Sequence, residues 1–142
     1  MMKSVLWLIL VLIIGVLIGY SINTTHQTNE DKTREHLISD ILNMGGQAKA
    51  WYRTPEADGG GGYAEELPEE TVYMIAEFID PESKYGVIET AYGIYTLTLD
   101  EWELAIDGRG KGKKSIQSRG VVMLDAGEDG GVMILPVSEE YK

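Results

Sequence analysis

The feature that most constrains this chain is an apolar run from Val5 to Ile22 that contains no Asp, Glu, Lys, Arg or His. Its 18 residues correspond to about 27 Å of α-helix, which matches the hydrocarbon core of a bilayer. The run exceeds the ~7–15 apolar residues of a secretory signal, and Gly19-Tyr20-Ser21 is a poor cleavage site. The sequence therefore predicts a transmembrane helix over 1–22. Lys3 precedes the run and Glu30 and Asp31 are the first charges after it. The positive-inside bias then predicts a single-pass inner or cell membrane protein with a cytoplasmic N-terminus and an extracytoplasmic head. Within the run, Gly15 and Gly19 form a G-x-x-x-G pair that lets a second helix approach closely.

About 120 residues follow, the size of one domain. Leu37, Ile38, Ile41, Leu42, Gln47, Ala48, Trp51 and Tyr52 recur mostly at three- and four-residue steps, the signature of a helix with one buried stripe. An amphipathic extension over 23–54 is expected, with Leu37, Ile41, Ala48, Trp51 and Tyr52 packing on the head. Gly45-Gly46 is its weak point, marking either a bend or a close approach to a sheet. Pro55 and the run Gly59 to Gly62 end the helix. Thr71 to Ile79 is β-branched and aromatic and reads as a strand, although its apolar run is also that of a short helix. Further strands are expected at Val87–Thr90, Gly93–Leu99, Trp102–Ile106, Ser115–Asp125 and Val132–Val137, with turns at Asp107-Gly108 and Asp129-Gly130. The expected fold class is α+β, a long N-terminal helix with a membrane-spanning first part packed on a small antiparallel β-sheet.

An apolar helix that continues as an amphipathic one, then a Gly-rich loop over 55–63, then an antiparallel meander to 142, resembles a type IV pilin or pseudopilin. The stretch Ala50-Trp-Tyr-Arg-Thr-Pro55, four glycines and Tyr63 is similar to a group of bacterial pilin-like proteins with an aromatic-aromatic-Arg-x-Pro segment before a glycine run. The resemblance implies a pilin-like fold and a structural or assembly role, with the chain as its own partner in a surface filament. The sequence differs from typical prepilins in having no glutamate before Glu30 and no glycine ahead of a mature start, so prepilin cleavage and glutamate-guided registration are not expected.

The composition removes most chemistry. Without cysteine there is no disulfide, thiolate metal site or cysteine nucleophile. With 12 Lys and Arg against 23 Asp and Glu, the net charge of -11 opposes nucleic-acid binding. His26 and His36 stand ten apart on a polar helix, which does not place them at metal-ligand spacing. Gly108-Arg-Gly-Lys-Gly-Lys-Lys-Ser115 lacks the first glycine and the Ser or Thr of a phosphate loop. It reads as a mobile basic hairpin loop; the functional alternative is that Arg109, Lys111, Lys113 and Lys114 meet an acidic surface of a neighbouring subunit or partner. Asp125 and Asp129 sit in a Gly-rich acidic turn that only partly matches a calcium loop, and Glu65, Glu66, Glu69 and Glu70 cluster around Leu67-Pro68 as solvated acids. No catalytic set is found, so no enzyme activity and no cofactor are expected. The rival to the filament subunit is a non-polymerising, membrane-tethered binding module for an envelope protein or ligand.

Overall fold

The computed structural model describes residues 2–112, 116–127 and 130–136, without the side chains of residues 2, 15 and 17–31. The chain divides into two units, Met1–Lys32 and Thr33–Lys142. Helix α1 spans Met2–Arg53, followed by a 3₁₀ turn at Glu56–Asp58, helix α2 (Thr71–Ile79) and strands β1 (Val87–Glu89), β2 (Gly93–Asp100), β3 (Glu103–Gly110), β4 (Gln117–Met123) and β5 (Met133–Leu135). The strands form one sheet in the order β1-β2-β3-β4-β5, every pair antiparallel.

The membrane-spanning first part is corrected. Among the described residues, no helix is long and apolar enough to cross a membrane. The fold class as first read, the single-pass membrane localisation and the tethering of a head outside the cytoplasm are overturned with it.

In the second unit, Leu37, Ile41, Met44, Ala48 and Trp51 are buried. They make one stripe of α1 that packs with the inward residues Tyr95, Leu97, Leu104, Ile106 and Val122 of the sheet in a single core. The approach is close because glycines lie beneath the helix. A Cβ on Gly93 would stand 2.5 Å from Leu37 Cδ2, and one on Gly108 would stand 2.8 Å from the Tyr95 ring. Gly108 is thus a contact glycine inside β3, which corrects the expected turn at Asp107-Gly108. Gly45 plays the same part on the helix side, where a Cβ would run into Val132.

Thr71 to Ile79, expected as a strand, is helix α2. Val72, Ile75 and Ala76 are buried while Tyr73, Met74, Glu77 and Phe78 are exposed, a three- to four-residue spacing that a period of two cannot satisfy. Pro68 precedes it, and its carbonyl accepts the Thr71 N–H at 2.9 Å.

The glycine run caps α1. The carbonyls of Trp51, Tyr52 and Thr54 accept the N–H groups of Gly61, Tyr63 and Gly62 at 2.8, 2.9 and 2.8 Å, satisfying acceptors that a helix end leaves orphaned. Gly61 lies flat on the Trp51 ring, where a Cβ would stand 2.8 Å from Cζ3. The aromatic-aromatic-Arg-x-Pro segment and its glycines are one piece of architecture.

Candidate functional site: an exposed apolar helix and a charged sheet groove

Two surfaces stand apart from the packed core. The first is the start of α1. Val5 to Ile14 and Val16 are eleven apolar side chains, each between 47% and 69% exposed. At 100° per residue this run covers the whole circumference of the helix, so it has no polar side to turn to water. Lys3 is the only charge in residues 3–16.

The second is the sheet face opposite the helix. Outward residues of β1 to β5 border a groove of about 960 Å³ lined by Glu89, Asp107, Arg109, Lys111, Gln117 and Arg119 among others. Register places them side by side: Asp107 opposite Arg119, Arg109 opposite Gln117, and Glu89 opposite Ile94, which in turn faces Arg109. Lys111 Nζ pairs with Glu89 Oε1 at 2.6 Å, and Arg119 with Asp107 at 3.5 Å. Among the described residues, Arg109 is exposed and holds no ion pair. The basic run read from the sequence is thereby divided. Arg109 stands inside β3 and Lys111 one residue past it, with the Lys111 N–H donating to the Tyr92 carbonyl at 3.0 Å. Lys113 and Lys114 lie outside the described residues.

The remaining sequence candidates are structural or undescribed. Leu37, Ile41, Ala48 and Trp51 are core. Tyr52 packs edge-on against Tyr63 and Trp102 at centroid distances of 5.4 and 5.9 Å. Trp51 is buried at 2% exposure, and its indole N–H has no partner among the described residues. His36 stacks on Tyr92 at 3.8 Å, while the side chain of His26 and the surroundings of Gly15 and Gly19 lie outside the described residues. No metal-competent cluster occurs among the described residues. Asp129 is outside them, and the turn that holds Asp125 already contains a cation: the buried Lys49 ammonium donates to the carbonyls of Gly127, at 3.0 Å, and Gly130.

Two polar side chains that matter were not singled out from the sequence. Asp40 Oδ2 accepts hydrogen bonds from Tyr95 Oη at 2.6 Å and Thr90 Oγ1 at 2.8 Å, and Lys49 secures the turn after β4. Both are polar residues one position before or after a stripe residue, Ile41 and Ala48. That position is the only signal the sequence offers for them. Burial pushes the Tyr95 phenol above the ordinary tyrosine range, reinforced by its bond to Asp40.

Comparison with family models, with curated proteins and with solved structures finds no match to this chain.

Proposed function

We propose that the protein is a pilin-like assembly subunit whose copies associate through their N-terminal helices, the folded unit over 33–142 serving as the head. The observation that carries this reading is the all-round exposure of Val5 to Val16. A helix apolar on every side is stable only when something apolar surrounds it. Burying half of those eleven side chains contributes on the order of 8–16 kcal/mol, which is comparable with the ~4–15 kcal/mol cost of association. Copies of the same helix supply that surface without charge repulsion, because Lys3 is the only charge in residues 3–16. The structural use of the glycine run favours an architectural role.

The chain has no native cysteine, so one introduced thiol reports contacts without ambiguity. Val11→Cys in the full chain is expected to form disulfide-linked dimers on mild oxidation at micromolar concentration. A Val11→Cys chain that remains monomeric, in buffer or on phosphatidylcholine vesicles, overturns the reading.

A further inference from the structure

The groove on the open sheet face and the acidic segment before α2 are complementary surfaces of one chain. Three cations, Arg109, Lys111 and Arg119, line the groove in a protein of net charge -11. Glu89 and Asp107 occupy Lys111 and Arg119. Among the described residues, Arg109 has no ion-pair partner, and Gln117 lies opposite it in register. A planar guanidinium in that setting suits a carboxylate, which it can hold by two parallel hydrogen bonds.

Glu65, Glu66, Glu69 and Glu70 are exposed, and none has an ion-pair partner among the described residues. Leu67, between them, is half-buried against the core, so the segment is held in place before any partner arrives. Little ordering entropy is then lost on contact.

We infer that the groove receives the Glu65–Glu70 segment of a second copy of this chain, with Arg109 taking one of its carboxylates. This rests on the assembly reading above and names the contact between heads. Because the two surfaces differ, the contact is head-to-tail, and repeating it generates a ring or an open filament rather than a closed two-fold dimer. The helices concentrate the heads, and the groove sets their order.

The test uses two full-length variants, Gln117→Cys and Glu66→Cys, mixed and oxidised. The mixed disulfide is expected to exceed either like-with-like product. Arg109→Glu in the Gln117→Cys chain should cut the mixed yield about tenfold, the loss of one charge-assisted pair. Glu65→Lys with Glu69→Lys in the other chain should restore it. Equal yields of mixed and like products, or a mixed yield indifferent to Arg109→Glu, overturn the groove contact. Val11→Cys measured in parallel separates the two levels. If its cross-link persists while the groove signal is absent, only the groove contact falls; if both vanish, the assembly reading falls too.

Discussion

Tyr95 donates its phenolic hydrogen to Asp40 at 2.6 Å, joining the buried face of β2 to helix α1 in the middle of the helix–sheet interface. The same carboxylate oxygen takes the Thr90 hydroxyl, which in turn accepts the N–H groups of Tyr92 and Gly93 at 3.2 Å. One side chain of α1 thereby fixes both the helix and the turn that leads into β2.

Asp40→Ala leaves the Tyr95 hydroxyl buried without its acceptor. The expected cost is about 1.5–3 kcal/mol, read as a lower denaturant midpoint with unchanged slope. Tyr95→Phe in the same chain removes the stranded hydroxyl, so the double variant should lose less than the sum of the two single ones.

Alkaline pH acts through the same pair. The folded-state pKa of Tyr95 is raised above its unfolded value by burial and by Asp40. Its contribution is therefore fully present below about pH 10 and is lost as pH rises beyond that. The protein should lose stability steadily above that pH, while tyrosinate absorbance shows one of the eight tyrosines ionising only with unfolding. Normal titration of all tyrosines in the folded protein would contradict this.

Adjacent glycines are expected to respond with opposite sign. Gly46→Ala places a methyl in open space within α1 and should stabilise by about 0.5–1 kcal/mol through helix propensity. Gly45→Ala drives a methyl into Val132 and should cost about 1–3 kcal/mol. Thermal melts of the two variants settle the comparison.

Lys49 holds the turn after β4 as a bound cation holds a loop. Lys49→Met leaves the carbonyls of Gly127 and Gly130 without this donor and should cost about 1–3 kcal/mol. Calcium added to either form should leave the melting temperature unchanged; a calcium-dependent rise in the native protein would show that Asp125 and its neighbours bind the ion.

Periodicity made the core stripe legible, because Leu37, Ile41, Ala48 and Trp51 need only a 3.6-residue repeat to be found. Thr71 to Ile79 was not resolved by the same means. Its β-branched composition favours a strand, and only packing of Val72, Ile75 and Ala76 on one side decides for a helix. Gly108 misled for a related reason: glycine before a basic run resembles a turn, and its use as floor for Tyr95 depends on the residue that strand register sets directly opposite it. The apolar start carried a strong pattern but not what surrounds it; length and hydropathy suggested a bilayer, whereas no helix among the described residues is long and apolar enough to cross one. The groove was half visible in Arg109 and Lys111, and its other half, Glu89, Asp107 and Arg119, comes together only through strand register.

The exposed apolar start of α1 is proposed as the association surface between copies. Sedimentation of the full chain beside Leu8→Glu/Leu12→Glu tests it most directly, since both leucines are more than 60% exposed and lie in the unit separate from the head. Oligomers are expected for the native chain, and a folded monomer with unchanged head stability for the variant. A native chain that sediments as a monomer, or a variant that assembles as well as the native chain, would contradict it.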